Sequence, residues 1–196
     1  MRRSLSSVLL ALSACALPTA VMAQQGVSKD QILIGSIQDL SGPLAGYGKQ
    51  ARAGMQLRID EVNEQGGVHG RKLKLLVEDS GYDPKKAVLA AQKLVNQDKI
   101  FIMAAHLGTA HNNAAMPIQF EKHVVNFMPL TAAREMYEPT HRYKYALLSA
   151  YYDQIRIALP KMVTDKGVKK VCLIYQDDEF GLEVARGAEA GLKTLN

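Results

Sequence analysis

The sequence predicts an α/β protein built on a parallel sheet with helices on both faces. Short apolar runs rich in β-branched residues alternate with longer segments in which apolar residues recur at helical spacing. Glycine and proline separate the two kinds of segment. The resulting order β-α-β-α-β-α-β implies parallel strands joined by right-handed crossovers. A hydrophobic content of 47% over 196 residues is enough for a buried core.

The first unit combines a strand, a glycine-rich turn and a helix. A strand predicted from Ile32 to Ile37 leads into a loop of glycines and a proline, and a helical pattern follows from Tyr47 to Gln65. The pair Gly66-Gly67 is typical of a helix end. Ligands of open α/β sheets bind outside the carboxyl ends of the strands, near helix N-termini. This turn is therefore predicted to face a binding site.

Three more strands and their helices complete the first lobe. Asp83 and Pro84 are an N-cap followed by proline at the first helical position. The elements predicted after the first helix are a strand at Leu73 to Val77, a helix after Pro84, a strand at Ile100 to Ala104, a helix at His111 to Lys122, a strand at Val124 to Met128 and a short helix near Ala132 to Tyr137.

A second α/β unit begins after an extended connector predicted at Lys144 to Ala150. It consists of a helix from Tyr152 to Thr164, a strand from Lys170 to Tyr175 and a helix from Phe180 to Leu195. One strand between two helices does not make a domain. We therefore expect a fragment with an incomplete second lobe, and weak ligand binding or none by a cleft that lacks part of one surface.

The first 23 residues are predicted to be a signal peptide. Arg2 and Arg3 form a positive start, Leu5 to Ala20 an apolar stretch, and Ala23 ends a small-residue cleavage site. Leu12 to Cys15 also resembles a lipoprotein box, which would leave an acylated Cys15, but the residues after it stay apolar. Cleavage after Ala23 is favoured, and the chain is expected to be exported.

Charge and cysteine usage exclude several classes of protein. The formal net charge is +5, and the basic residues are scattered without a basic stripe, so no nucleic-acid partner is expected. After removal of the signal peptide only Cys172 remains, so no intrachain disulfide can form. Cys172 lies in an apolar run, and a buried strand thiol is favoured over a catalytic thiol.

Patterns that suggest nucleotide or metal chemistry are weak. Gly46 to Ala51 fits G-x-G-x-x-A, but it lies too far from the strand, and Gln50 replaces the Ser or Thr of a P-loop. His106 and His111 could form a metal pair, although polar loop residues are the simpler interpretation because the histidines show no zinc spacing. No cofactor and no metal are expected.

No motif indicates an enzyme. The stretch from Gln176 to Glu179 places acidic residues at a strand end, but no nucleophile motif such as G-x-S-x-G accompanies it. These acids are interpreted as a first helical turn that complements the helix dipole. No catalytic residue is predicted.

Several ordered motifs resemble those of one family. They are the opening IGSIQDLSGPLAGYG, the helix end VNEQGGVHGRKLKLLVEDSGYDPKKAV, the turn AAHLGTAHNNA, the strand and turn VVNFMPLTA, and DDEFG before the last helix. Together they resemble the type I periplasmic binding proteins of the branched-chain amino-acid (leucine-binding) transport group, and the likeness covers the whole mature chain.

The resemblance implies two α/β lobes, at 24–147 and 153–196, joined by a hinge connector at 148–152. It also implies a periplasmic, non-enzymatic receptor that closes on a small solute and delivers it to an ABC permease. Family members bind the ligand carboxylate with hydroxyls and backbone N–H groups of the first lobe. The residues at the matching positions are Thr109, Ala110, Leu130, Thr131 and Ala132, and Tyr47 and Phe180 match aromatic residues that line the cleft.

Two departures leave the ligand open. Amino-acid binders carry Thr at the position of Ala132, and the acidic residue that pairs with the ligand's ammonium would lie beyond Asn196. Relatives also carry aromatic acids, amides and urea. Tyr151 and Tyr152 could suit a larger ligand, although hinge packing is the simpler interpretation. A ligand-sensing domain of the same fold, acting on a regulatory partner, is the alternative function.

Overall fold

The computed structural model describes residues 24–195. The predicted signal peptide and Cys15 lie outside this range. Within it, no helix is both long enough and apolar enough to cross a membrane.

A parallel sheet of five strands forms the centre of the first unit. The strands are β1 (Gln31–Gln38), β2 (Lys72–Asp79), β3 (Ile102–Ala104), β4 (Val125–Phe127) and β5 (Lys144–Tyr145). They lie in the order β2-β1-β3-β4-β5, and every pairing is parallel. β1 and β2 are in register from Gln31 opposite Lys72 to Gln38 opposite Asp79. The predicted α/β class with a parallel sheet is confirmed.

Five α-helices accompany the described strands. They are α1 (Ala45–Glu64), α2 (Pro84–Gln92), α3 (Thr109–Glu121), α4 (Tyr151–Lys166) and α5 (Glu179–Leu192). A π-helical turn (Lys93–Gln97) extends α2, and 3-10 turns lie at Arg134–Met136 and Lys193–Leu195. α2 begins as predicted, because the Asp83 side chain accepts hydrogen bonds from the backbone N–H groups of Lys85 and Lys86.

The two faces of the sheet pack against different helices. On one face Ile37, Leu94, Ile100 and Met103 are fully buried in a core that includes residues of α2 and α3. On the other face Ile34 and its neighbours line an apolar groove of about 380 Å³ beneath α1. This alternation along β1 follows from the two-residue period of a strand, and it places helices on both faces.

The second unit differs from its prediction. The segment from Lys170 to Tyr175 is not a strand, and Ile174 is 93% exposed. A strand needs a neighbour to accept and donate its backbone hydrogen bonds, and within residues 24–195 no strand lies beside this segment. Cys172 is consequently exposed, so the prediction of a buried strand thiol is wrong.

The connector contains a strand that the sequence pattern did not indicate. Lys144 and Tyr145 pair with Asn126 and Phe127 and form the edge strand β5. Two residues carry too little pattern to predict a strand. The predicted lobe boundaries and hinge connector stay predictions.

Candidate functional site

A cavity of about 340 Å³ opens at the carboxyl ends of β1, β2, β3 and β4. Loops after all four strands contribute to its walls, as the rule for open α/β sheets predicts. The start of α4 and the segment leading into α5 close one side. Its lining residues are Leu44, Tyr47, Tyr82, Leu107, Gly108, Thr109, Leu130, Thr131, Tyr151, Gln176 and Phe180.

Two threonine hydroxyls lie together in the wall. Oγ1 of Thr109 and Oγ1 of Thr131 are 2.6 Å apart, and both residues are only 2% exposed. The backbone joins their loops as well, because Leu130 donates its N–H to the carbonyl of His106 at 2.9 Å. The ends of β3 and β4 therefore present one pair of hydroxyls to the cavity.

The same wall contains the start of a helix. α3 begins at Thr109, and no side chain caps its first turn. Uncapped N–H groups and the helix dipole give this end a partial positive charge that attracts anions. Gly108 precedes the helix at a φ of 99°, and a Cβ there would lie 2.4 Å from Nδ1 of His111. Glycine lets the chain turn sharply from β3 into α3.

Asp39 shapes the loop after β1. Its carboxylate accepts hydrogen bonds from the backbone N–H groups of Gly42 at 2.5 Å and Leu44 at 2.6 Å. A Cβ at Gly48 would lie 2.0 Å from the carbonyl oxygen of Asp39, so α1 starts directly against this loop. These contacts direct Leu44 and Tyr47 towards the cavity.

Aromatic rings form much of the remaining wall. Tyr82 lies against His111, with ring centroids 4.4 Å apart, and Tyr151 meets Phe180 edge to face at 5.2 Å. Burial raises the pKa of Tyr82, so its hydroxyl stays protonated at neutral pH. Gln176 lies beside this hydroxyl. The cavity thus combines aromatic surfaces with uncharged polar groups.

Histidines 106 and 111 lie behind the wall rather than on an exposed loop. His106 lies in the loop after β3 as interpreted, although it is fully buried, whereas His111 lies in α3 at 2% exposure, so the interpretation as a polar loop residue is wrong for His111. Burial, together with nearby His111, lowers the pKa of His106 to about 3, and burial also lowers the pKa of His111. Within the described residues no group of three or more His, Cys, Asp or Glu side chains could hold a metal ion.

The acidic stretch before α5 acts as a helix cap. Asp178 accepts a hydrogen bond from the backbone N–H of Gly181 at 3.0 Å, which agrees with the interpretation that these acids complement the helix N-terminus. The cap fixes the first turn of α5 and, with it, the position of Phe180.

A family model described as periplasmic binding protein matches residues 31–196 of this chain. The chain belongs to the periplasmic binding protein family.

The chain is also similar in sequence to individual members of the family. The chain is 26% identical over 167 residues to the Leu/Ile/Val-binding protein of Escherichia coli K12, which covers 85% of this chain and 45% of the relative. It is 28% identical over 180 residues to the leucine-specific-binding protein of Salmonella typhimurium LT2, covering 90% and 48%. The chain therefore spans about half the length of the curated relatives it matches.

A solved structure of the family has the same fold. The fatty acid ABC transporter substrate-binding protein from Thermomonospora curvata superposes with a TM-score of 0.79 at 26% identity, over 91% of this chain and 45% of that structure. Each of the relatives named here is thus a binding protein.

In this periplasmic binding protein, five of the seven predicted site residues line one cavity. They are Tyr47, Thr109, Leu130, Thr131 and Phe180. Ala132 is fully buried behind the wall, and Ala110 lies half-buried in the first turn of α3 without lining the cavity. A role of any of the seven in ligand binding stays a prediction.

Sequence reasoning did not assign several lining residues to the site. Tyr82 follows β2 within SGYDP, and the rule that ligands lie at strand ends could have indicated it. For Tyr151 the sequence leaves hinge packing and contact with a larger ligand open, and the structure places this residue in the cavity wall. Leu44, Leu107, Gly108 and Gln176 carry no distinctive pattern of their own.

Proposed function

We propose that this protein is the solute receptor of an ABC importer and binds a small carboxylate in the cavity at the strand ends. The observation that carries the proposal is the pair of buried hydroxyls of Thr109 and Thr131, 2.6 Å apart at the uncapped start of α3. Hydroxyls and helix N–H groups are donors suited to a carboxylate. Ala110 contributes the backbone of the same first turn.

The chemistry of the walls favours an acid with an apolar body. Leu44, Leu107 and Leu130 line the cavity beside the hydroxyl pair. The named relatives bind leucine, isoleucine and valine or belong to a fatty acid transporter, and each of these ligands joins a carboxylate to an apolar group. A branched-chain amino acid or a similar small carboxylate is therefore the proposed ligand.

Transport without chemical change is part of the proposal. The named relatives are binding proteins, which supports a receptor that holds its ligand unaltered in the periplasm and transfers it to a permease. Recovery of an ABC permease in a pull-down from membranes tests this partner. Recovery of a transcriptional or signalling regulator instead would support the sensing function and contradict transport.

Aromatic carboxylates are a second candidate ligand class. Tyr47, Tyr82, Tyr151 and Phe180 all line the cavity, and their faces and edges can pack against a ring. The carboxylate of either ligand class would bind the same hydroxyl pair of Thr109 and Thr131. Ala132 has no hydroxyl group.

Three matched ligands test the proposed recognition. Ligand-observed NMR, which detects weak binding, is carried out with L-leucine, L-leucinamide and 4-methylpentanoate. Leucinamide lacks the carboxylate and 4-methylpentanoate lacks the ammonium group. We expect leucinamide to bind much more weakly than leucine, because its amide has no negative charge and offers only one acceptor oxygen to the donors at the start of α3. Binding of leucinamide as tight as that of leucine would refute the carboxylate site.

Hydroxyl deletion tests the same site from the protein side. Thr109→Val and Thr131→Val preserve shape and are expected to weaken binding of the acid about tenfold each, the size of one hydrogen bond to a charged group. Thr140→Val, at an exposed position outside the cavity, is the control. Equal affinity of all three variants for the acid would contradict the proposal.

A further inference from the structure

A buried ion pair joins two elements behind the cavity. Glu183 of α5 is 1% exposed, and its Oε1 accepts hydrogen bonds from Nε of Arg134 at 2.8 Å and from the backbone N–H of Arg134 at 3.2 Å. Its Oε2 accepts from Nη2 of Arg134 at 3.3 Å. Three donors of one residue therefore hold the carboxylate.

Each partner lies three residues beyond a residue of the cavity wall. Thr131 precedes Arg134 in the loop after β4, and Phe180 precedes Glu183 in α5. Neither Arg134 nor Glu183 lines the cavity itself. The ion pair thus connects the loop that carries the hydroxyl to the helix that carries the aromatic ring.

The start of α4 meets the same ion pair. The guanidinium of Arg134 lies over the ring of Tyr152, 3.8 Å from its centroid. The neighbouring Tyr151 lines the cavity and donates its backbone N–H to the carbonyl of Ala132 at 2.8 Å. Three parts of the wall, from β4, α4 and α5, consequently converge at Arg134.

Burial makes this contact sensitive to the loss of either partner. A carboxylate removed from water needs paired charge and hydrogen bonds to remain ionised there. The guanidinium side chain is 33% exposed, so Arg134 without Glu183 regains water, whereas Glu183 without Arg134 is left buried and unpaired. Substitution of Glu183 is therefore the gentler change.

We propose that Arg134 and Glu183 are positioning residues that hold the loop 130–134 and the start of α5 at the separation required for ligand binding. The inference rests on the proposed function in taking the cavity as the ligand site. The two side chains act on the ligand only through Thr131, Tyr151 and Phe180.

Hydrogen exchange of the ligand-free chain tests the connection directly. In Glu183→Leu, which removes all three hydrogen bonds to the carboxylate, amides of 130–134 and 178–183 are expected to exchange at least about tenfold faster, while β1 and β2 are unchanged. Glu183→Gln keeps an acceptor oxygen and should show a smaller effect. Glu189→Gln, on the exposed side of the same helix, should show none.

Two results would overturn the inference. One is wild-type exchange at 130–134 and 178–183 in the Glu183 variants. The other is faster exchange spread evenly over the sheet, which indicates loss of global stability. If Glu183→Leu does not fold, Glu183→Gln alone decides between these outcomes.

A ligand readout separates this inference from the proposed function. Among L-leucine, 4-methylpentanoate and 4-hydroxybenzoate, any probe that binds the wild type is expected to bind Glu183→Gln three- to tenfold more weakly, and Glu189→Gln equally well. If Glu183→Gln bound the probe as tightly as the wild type although amides of 130–134 and 178–183 exchanged faster, Arg134 and Glu183 would not be positioning residues. If no probe binds the wild type, the proposed ligand classes fail, whereas exchange still decides whether the ion pair holds the walls.

Discussion

Two imidazole rings lie behind the wall of the cavity without access to solvent. His106 follows β3 and is fully buried, and His111 lies in the first turn of α3 beside Tyr82. Burial lowers the pKa of both side chains, that of His106 to about 3. Neutral imidazoles at this place keep positive charge out of the core, and they make stability depend on pH.

Stability is expected to fall as the pH drops below about 6.5. The unfolded state binds a proton at His106 near its ordinary pKa of about 6.5, whereas the folded state stays neutral down to about pH 3. The unfolded state therefore binds more protons between these values. As the pH falls through this range, His106 lowers the free energy of unfolding by about 1.4 kcal/mol for each pH unit. Urea unfolding at pH 7, 6 and 5 measures this slope.

Substitutions assign the slope to its residue. In His106→Leu the free energy of unfolding should depend less steeply on pH between pH 6.5 and 5, whatever the stability of this variant at pH 7. His69→Gln, at an exposed position, should keep the wild-type slope. An unchanged slope in His106→Leu would show that other groups cause the dependence.

The start of α3 shows how an element positions the site. The sequence predicts this helix from His111, whereas it begins at Thr109, so the first turn itself enters the cavity wall. Gly108 makes the earlier start possible, because it turns the chain at a φ of 99°. Periodicity of apolar residues defines the middle of a helix well and its first turn poorly.

An alanine at Gly108 should therefore damage the fold and the site together. Its Cβ would meet His111 at 2.4 Å and would force a side chain into positive φ, for a loss of about 1–3 kcal/mol in the free energy of unfolding. Gly54→Ala is the matched control, because Gly54 lies exposed within α1 with open space around it. It should stabilise by about 0.5–1 kcal/mol. Urea unfolding that gave both variants the same sign would contradict this account.

For strands, the sequence pattern does not decide whether a segment is paired. Lys170 to Tyr175 has the composition of a buried strand yet is unpaired within the described chain, while the two-residue β5 is paired. Composition reports what a segment prefers, and pairing depends on which neighbours are present. For β1 and β2 preference and pairing agree, because each strand finds its partner within the first unit. Their composition therefore predicted them correctly.

At the scale of the molecule, the cavity takes its walls from two units of unequal packing. The first unit encloses the buried core between its sheet, α2 and α3. The second contributes Tyr151, Gln176 and Phe180, but α4 contains no buried residue. The first set of walls follows from the strand order, since β1, β3 and β4 end side by side. The contribution of α4 and α5 depends on tertiary contacts that no local pattern encodes.

Helices α4 and α5 are expected to open before the sheet does. They approach each other closely, since a Cβ at Gly187 would lie 2.6 Å from the carbonyl oxygen of Tyr152, but no residue of α4 is buried. Local opening follows the amount of buried contact. Amides of α4 should therefore exchange roughly tenfold or more faster than those of β1 in native conditions.

A bound carboxylate should reduce this difference. The ligand would contact walls from both units, so opening of α4 and α5 would have to break those contacts, and binding to the closed form alone stabilises it by mass action. Hydrogen exchange with and without the tightest ligand of the NMR panel measures the effect, with L-leucinamide as the matched control. Equal exchange of α4 and β1 in the free chain would contradict the expected early opening of α4. Protection by ligand confined to the first unit would show that the second unit does not contribute a wall to the bound state.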